Sequence, residues 1–278
     1  PYIFDPRALW LEEMIAANRL QRNSLLHKLL SLAERATMRR GSGIVSLTNA
    51  ASPHMRTIAG AKPDAPRFVM IPTCADVKRF GSVARERAGD NPIIVGCLGT
   101  VMSGWFKLDW LEAFFAAVHR ALPDARFKLI TRDDPVVVRA GLCDWGGKAE
   151  ERLEIFSVDP DSDPNAIRQI TIGDFFFDNS IAKLASSPTR LGELLAAGIP
   201  VVANAGTGDV NEILTRYQVG VLVADSSAGS MDRAVQEVQS LRADPDLGRR
   251  CRQAAEEWFS LEAGVRNYNA LYRQIGLV

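Results

Sequence analysis

Residues 183–214 carry the densest group of side chains able to bind a ligand. The segment reads KLASSPTRLGELLAAGIPVVANAGTGDVNEIL, in which two turns rich in hydroxyl groups and glycine flank a short apolar helix and a strand. N–H groups at the start of a helix attract phosphate. Glu193, one turn into the helix, either faces solvent or lines a cleft and accepts hydrogen bonds from sugar hydroxyls. The pattern predicts a cradle for a phosphorylated ligand.

The first of the two turns places hydrogen-bond donors at the start of this helix. Pro188 suits the first helical turn, and Thr189 and Arg190 offer a hydroxyl and a guanidinium to a phosphate. Ser187 suits an N-cap, so capping alone can explain it. Lys183 either pairs with a phosphate or faces solvent. These residues are the first candidates for phosphate binding.

The second turn consists of Gly206, Thr207, Gly208 and Asp209, directly after the predicted strand. Its two glycines allow close approach of the backbone to a ligand. The turn therefore either contacts the sugar or phosphate of the ligand or simply reverses the chain. Asp209 can instead cap the following helix, with Glu212 completing a capping box.

Another glycine-containing turn follows an earlier predicted strand. Gly99 and Thr100 lie where that strand leads toward a helix, a place where open parallel sheets bind ligands. Lys107 adds a cation that can serve a diphosphate or simply face solvent at a helix start. The spacing is not GxGxxG, so the dinucleotide-binding fingerprint is absent. Ligand contact and a plain tight turn both remain open for this segment.

Short apolar runs alternate with helical segments along the chain, and the runs are typical of strands buried on both faces of a parallel sheet. Strands are predicted at Tyr2–Phe4, Ile44–Leu47, Phe68–Ile71, Ile93–Leu98, Phe127–Ile130, Leu153–Phe156, Phe175–Phe177, Pro200–Ala203 and Val219–Val223. Helices are predicted at Leu9–Arg39, Trp110–Ala121, Arg190–Ala197, Ser230–Arg242, Asp246–Phe259 and Leu261–Ile275. Repeated strand–helix units indicate an α/β protein with a doubly wound, Rossmann-like parallel sheet.

The charged, glycine-containing segment Phe80–Pro92 predicts a domain boundary. We expect a partial N-terminal α/β segment over residues 1–80, a larger domain over 92–260 and a closing helix over 261–278 that packs back toward the first segment. The first part has only three predicted strands, so the second α/β domain is expected to be incomplete. The chain starts at Pro1 rather than Met, which suggests that N-terminal sequence is missing.

Composition and charge exclude several classes of protein. The 278 residues have a formal net charge of +0, which gives no electrostatic footprint for nucleic acid. The 4 cysteines and 3 histidines are dispersed, so neither a zinc site nor a disulfide framework is predicted, and a reduced, cytoplasmic protein is expected. No apolar run approaches the ~20 residues of a membrane span.

Three segments together resemble family-4 glycosyltransferases of the GT-B fold: SSPTRLGELLAAGIPVVANAGTGD, FVMIPTCADVKRF and GIVSLTNAAS. In that family an acceptor domain leads, through a phrase similar to Ile71–Asp76 with Phe80, into a nucleotide-sugar domain. The resemblance implies transfer of a sugar from a nucleotide-diphosphate donor to an acceptor hydroxyl, with retention of configuration. No metal or other cofactor is implied, because the nucleotide sugar is a co-substrate. The acceptor is expected to be a glycan or a lipid-linked molecule.

The resemblance also assigns donor contacts to matching positions. Glu193 matches the glutamate that binds the ribose hydroxyls. The positions that match the diphosphate contacts are Thr189, Arg190, Leu191, Gly99, Thr100 and Lys107. The catalytic residues are not assigned by these motifs.

Two departures from the family pattern affect the donor contacts. Cys97 stands where the family often has an arginine, and Ala185 stands where it often has a second glutamate. Lys183 and Arg190 can supply the missing positive charge. The departures favour, as an alternative, a module that binds nucleotide sugars without catalysis.

The resemblance further implies a role in the synthesis of surface polysaccharide. Peripheral association with the inner membrane surface, through the missing N-terminal part, is a related expectation. A Rossmann oxidoreductase is a third alternative, with Asp133 or Asp134 as its acidic residue, although it requires the absent GxGxxG motif.

Overall fold

The computed structural model describes residues 1–60, 67–81, 92–142, 145, 151–158 and 164–277. The predicted boundary at Phe80–Pro92 lies largely outside the described residues, since 82–91 are not among them. We call residues 1–81 the N-terminal lobe and residues 92–260 the C-terminal lobe. Among the described residues, no helix is long and apolar enough to cross a lipid bilayer.

The described strands form two sheets in which all neighbours are parallel. The smaller sheet contains β1 (Ile3–Phe4), β2 (Gly43–Ser46) and β3 (Arg67–Met70), in that order. The larger sheet contains β4 (Ile94–Leu98), β5 (Arg126–Ile130), β6 (Leu153–Phe156), β7 (Ile172–Phe175), β8 (Val201–Asn204) and β9 (Gly220–Val223).

Helices connect and cover these strands. They are α1 (Trp10–Ala16), α2 (Leu25–Arg40), α3 (Ser52–Ala59), α4 (Val77–Gly81), α5 (Leu108–Ala121), α6 (Pro135–Gly141), α7 (Pro164–Arg168), α8 (Thr189–Ala196), α9 (Val210–Tyr217), α10 (Ala228–Arg242), α11 (Leu247–Phe259) and α12 (Leu261–Gln274). A 3₁₀ turn spans Ile181–Ala185. Because helices cover the larger sheet, its central strands are fully buried, as in doubly wound proteins.

The larger sheet has the strand order β6-β5-β4-β7-β8-β9, which is the Rossmann order. The chain winds outward from β4 to β6 and then returns to β7 on the other side of β4. Ligands bind such sheets at the carboxyl ends of the strands where the order reverses, here between β4 and β7. The predicted α/β class with a doubly wound parallel sheet is confirmed.

Two glycines in the central strands let neighbouring side chains pack closely on the sheet near this reversal point. A Cβ atom on Gly96 of β4 would lie 2.4 Å from Cδ1 of Ile170, and one on Gly173 of β7 would lie 2.6 Å from Cδ1 of Leu194. Leu194 belongs to α8 and is fully buried. The missing side chain on β7 therefore lets α8 pack directly on the backbone of the sheet.

The predicted strand Phe175–Phe177 is displaced from the observed strand. The observed strand β7 runs from Ile172 to Phe175, and its two middle residues are Gly173 and Asp174. Phe176 instead packs against Trp110 and Phe114 of α5, while the backbone of Phe177 bonds to the Asn204 side chain. The apolar run misled the prediction because a buried strand here carries a glycine and a carboxylate.

The single predicted helix Leu9–Arg39 is wrong, because the structure contains two helices there. The segment between α1 and α2 includes Asn18 and Asn23, with φ angles of 56° and 67° that no α-helix accommodates. Ser24 then starts α2, since its side chain accepts a hydrogen bond from the backbone N–H of His27.

The last helix, α12, packs on the smaller sheet. Leu271 lies in a cluster with Val45 and Ile71, and a Cβ on Gly43 would lie 2.9 Å from its Cδ1. The hydroxyl of Tyr268 donates to the carboxylate of Asp5 at 2.7 Å. The C-terminal end of the chain is thereby held against the N-terminal lobe.

Candidate functional site

A cleft of about 420 Å³ opens between the two lobes, at the point where the strand order reverses. The N-terminal lobe contributes Arg7, Leu47 and Thr73 to its lining. The C-terminal lobe contributes Leu98, Gly99, Phe177, Lys183, Ser186, Ser187, Pro188, Thr189, Arg190 and Glu193. The turn after β4 and the segment that leads into α8 therefore supply most of this surface.

Arg190 places a guanidinium in the cleft. Its Nη1 lies 3.8 Å from Sγ of Cys97, and its Nη2 lies 3.4 Å from the carbonyl oxygen of Thr100. The group also lies 5.3 Å from the ring centroid of Phe177. Gly99 leaves room for it, because a Cβ there would lie 2.6 Å from Nη2. Packing thus holds the cation in place while no ion pair with a described residue neutralises it.

The start of α8 faces the same space. Pro188 is the N-cap residue, and no side chain caps the helix. Ser187, predicted as a possible cap, instead accepts a hydrogen bond from the backbone N–H of Thr73 at 3.2 Å. The first N–H groups of a helix have no partner within the helix. Those of Thr189 and Arg190 are therefore available for an anion.

Glu193 is the acidic side chain of the cleft among its described lining residues. It is half-buried, and burial raises the pKa of its carboxyl, while Arg190 and Arg79 oppose that increase. The carboxylate lies one helical turn beyond Thr189 and Arg190. A ligand with an anionic group at the helix start can therefore reach Glu193 with hydroxyl groups.

Lys183 supplies a second cation to the cleft. Its residue is only 6% exposed, and burial lowers the pKa of its ammonium group. The Nζ atom lies 4.2 Å from the ring centroid of Trp105, which stabilises a partly desolvated cation. The structure thus brings together Lys183, Arg190 and Glu193, all three of which belong to the segment 183–214 singled out from the sequence.

Other residues predicted for the site do not line this cleft. Lys107 is the N-cap residue of α5, and its backbone N–H bonds to the carbonyl of Phe176. Leu191 is fully buried in the core, so only its backbone can face a ligand. Thr100 is exposed beside Arg190, to which its carbonyl is bonded.

The turn Gly206–Asp209 joins the lobes. The carboxylate of Asp209 accepts hydrogen bonds from the backbone N–H groups of Asn49 and Ala50, at 2.7 and 2.8 Å. It makes no side-chain cap at α9, so the capping box with Glu212 is not formed. Burial raises the pKa of the Asp209 carboxyl, and the two backbone bonds oppose that increase.

The glycines of this turn are required by its conformation. Gly206 and Gly208 have φ angles of 98° and 44°, and a Cβ on Gly208 would lie 2.1 Å from the carbonyl oxygen of Ser186. Thr207 is fully buried, and its hydroxyl has no partner among the described residues. The turn therefore packs against Ser186, which belongs to the segment that lines the cleft.

A buried carboxyl beneath the cleft was not predicted. Asp174 of β7 is fully buried beside Cys97 of β4, and neither of its oxygens has a hydrogen-bond partner among the described residues. Burial raises the pKa of Asp174 to about 8, against the opposing effects of Arg190 and Cys97. Burial, together with Asp174, also raises the pKa of the Cys97 thiol. The one signal in the sequence was an acidic residue directly before an apolar run.

The sequence also missed the contribution of the N-terminal lobe. Arg7 and Thr73 line the cleft, although neither lies in a segment with a recognisable ligand-binding pattern. Thr73 stands in the phrase Ile71–Asp76, which was noted only as a resemblance. Contacts of this kind depend on how the lobes meet, so spacing within one segment gives no indication of them.

No protein family model and no curated protein matches the chain, whereas solved structures do. Sucrose-phosphate synthase from Thermosynechococcus elongatus is 19% identical, with a TM-score of 0.70 over 98% of this chain and 67% of that chain. WaaG, a glycosyltransferase involved in lipopolysaccharide biosynthesis, is 16% identical, with a TM-score of 0.70 over 97% and 74%. HepE from Anabaena, solved in complex with UDP and glucose, is 15% identical, with a TM-score of 0.65 over 100% and 72%. The chain shares the GT-B fold of these proteins.

Proposed function

We propose that this protein is a glycosyltransferase that moves a sugar from a nucleotide-diphosphate donor to an acceptor hydroxyl, with retention of configuration. The fold supports this class, since its structural neighbours include named glycosyltransferases. Fold alone does not define an activity, so the argument rests on the cleft. The observation that carries it is that Arg190, Lys183 and Glu193 line one cavity at the strand reversal.

The cleft matches the parts of a nucleotide diphosphate. Arg190, Lys183 and the free N–H groups at the start of α8 suit the two phosphates. Glu193, one turn further along the helix, suits the ribose hydroxyls, which donate hydrogen bonds to a carboxylate. HepE is described with UDP bound, which makes uracil the first base to test here.

The same groups suit the chemistry of transfer. The bond between the anomeric carbon and the diphosphate oxygen breaks, and the acceptor oxygen forms a new bond to that carbon. Negative charge then collects on the departing diphosphate. Arg190 and Lys183 are already fixed by stacking on aromatic rings, so they stabilise this charge without reorganising. The acceptor hydroxyl passes its proton to the departing diphosphate, whose oxygen becomes basic as the bond to the anomeric carbon breaks.

Binding of nucleotides tests the donor assignment. We expect UDP, GDP or ADP to raise the melting temperature more than CMP, which has only one phosphate, because a ligand that binds the folded state stabilises it. In Glu193→Gln the affinity for that nucleotide should fall about tenfold, since a hydrogen bond to a charged group is lost. Glu237→Gln, an exposed change on α10, serves as the matched control. If none of the four nucleotides binds, or if Glu193→Gln binds as well as the parent, the donor assignment is wrong.

A binding module without turnover is the second candidate. One observation favours it: position 185 is a buried alanine, so it presents no carboxylate to a donor. Slow hydrolysis of the matching nucleotide sugar distinguishes the two. A transferase should release the sugar at a rate that Arg190→Ala reduces, because the charge on the leaving group loses its partner. A module should bind the nucleotide and release no sugar in either form.

A further inference from the structure

A second cavity of about 420 Å³ lies next to the cleft. Helix α1 of the N-terminal lobe forms one wall, with Trp10, Glu13 and Met14. Trp105 and Asp178 of the C-terminal lobe form the other wall. The cavity is therefore a distinct interlobe space, to which none of the predicted donor contacts belongs.

The lining combines flat aromatic surface with hydrogen-bond acceptors. Trp10 is 40% exposed, so much of its ring is free to contact a ligand. Gly104, between the walls, has open space where a side chain would begin. A pyranose ring offers a matching surface, because its axial C–H groups form an apolar face and its hydroxyls point outward around the ring. Small-molecule sites typically combine such apolar walls with a few placed polar groups.

The polar groups of the cavity are available to a ligand. The carboxylate of Glu13 makes no hydrogen bond or short ion pair to any described residue, and it acts electrostatically on Lys183. One oxygen of Asp178 accepts from the backbone N–H of Ser180 at 2.8 Å, and its other oxygen has no described partner. Arg19 also lines the cavity and adds a guanidinium to the two carboxylates. The open acceptor sites of the carboxylates suit the hydroxyl donors of a sugar.

The side chains of Lys183 and Trp105 lie in contact between this cavity and the donor cleft. Lys183 lines the cleft, and its Nζ lies 4.2 Å above the ring of Trp105, which lines the second cavity. Glu13 and Asp178 both favour the charged form of Lys183. A sugar in the second cavity would therefore lie one side chain away from a diphosphate in the cleft.

We propose that this second cavity binds a pyranose unit of the acceptor. The idea that the sugar belongs to the acceptor rests on the proposed function, whereas the saccharide site itself rests on the lining. Trp10 and Trp105 provide stacking surfaces, and Glu13 and Asp178 accept hydrogen bonds from the hydroxyls.

The test uses the whole chain and saturation-transfer NMR with methyl α-D-glucopyranoside, methyl α-D-mannopyranoside and methyl β-D-galactopyranoside. At least one should bind. Trp10→Ala and Glu13→Gln should each weaken that binding about tenfold. Trp10 is exposed at the start of α1, so the nucleotide-induced shift in melting temperature of Trp10→Ala should stay unchanged and report an intact fold. Because Glu13 acts electrostatically on Lys183 of the cleft, the fold of Glu13→Gln is checked instead by its urea-unfolding midpoint. Glu237→Gln is the control for the carboxylate change.

The outcomes separate the two proposals. If a nucleotide binds but no methyl glycoside does, the saccharide site is wrong and the donor cleft stands. If a glycoside binds but no nucleotide does, the proposed function fails and the saccharide site stands. Glycoside binding that is unaffected by both Trp10→Ala and Glu13→Gln also overturns the site, because the sugar is then held elsewhere.

Discussion

The substitution Asp174→Asn tests how burial sets the protonation state of the carboxyl group beneath the cleft. The side chain is fully buried on the central strand β7 and lacks hydrogen-bond partners among the described residues. The asparagine has nearly the same shape but no charge at any pH. The variant therefore separates the charge of this group from its packing.

The magnitude follows from the pKa of the group. Burial raises the pKa of Asp174 from its ordinary value of 3.8 to about 8, and each factor of ten in the acid constant is worth about 1.4 kcal/mol. Between these pH values the folded protein holds a proton that the unfolded chain has released. The free energy of unfolding therefore falls as pH rises through this window, and ionisation above pH 8 costs roughly 5–6 kcal/mol.

Urea unfolding of the parent and the variant across this pH range measures the effect. The free energy of unfolding of Asp174→Asn, minus that of the parent, should increase by about 4 kcal/mol between about pH 5 and pH 8. Asp124→Asn removes a carboxylate whose side chain is 96% exposed, and its difference from the parent should stay nearly constant. A constant difference for Asp174→Asn as well would refute the reasoning, because the carboxyl would then be ionised in both states.

The same substitution has a consequence for the cleft. Arg190 is the cation that acts on Asp174, so ionised Asp174 partly neutralises the charge offered to a diphosphate. We expect nucleotide affinity of the parent to decline above about pH 8. Asp174→Asn should lack this decline, and calorimetric titration at two pH values checks it.

Three further substitutions test the framework of the site by urea unfolding. Asp209→Ala should lower the free energy of unfolding by about 1–3 kcal/mol, because it leaves the backbone amides of residues 49–50 unpaired. No loss of stability would mean that water replaces the carboxylate. Gly208→Ala should lower the free energy of unfolding by about 1–3 kcal/mol or more, because its Cβ would lie 2.1 Å from the Ser186 carbonyl oxygen. An unchanged free energy of unfolding would show that the turn rearranges. Leu194→Ala should lower it by about 2–5 kcal/mol through the cavity left under α8, and a much smaller loss would mean that the helix settles onto the sheet.

Most strands of the larger sheet were predictable to within a residue or two. Their apolar runs are continuous, which is typical of strands buried on both faces of a sheet. The predicted run Leu153–Phe156 coincides with β6. The prediction failed at β7 because Gly173 and Asp174 interrupt the apolar pattern. A glycine is needed there for the contact with Leu194, which belongs to a helix that comes later in the chain.

The break between α1 and α2 was missed for a different reason. The segment from 17 to 24 keeps a leucine and several polar residues that suit a helix. Its turn depends on two asparagines that adopt left-handed conformations, which asparagine tolerates but does not require. Propensity alone therefore favoured one continuous helix.

The sequence by itself determined the fold class and the location of the phosphate-binding candidates. Both depend on local patterns: the alternation of apolar runs with helices, and donors placed at the start of α8. Tertiary structure alone decided which groups meet. Gly99 and Arg190 share a cleft because the strand order reverses between β4 and β7, Thr73 of the N-terminal lobe faces them, and Asp209 joins the lobes rather than capping a helix. Such contacts link residues far apart in the chain, so no spacing within a single segment can encode them.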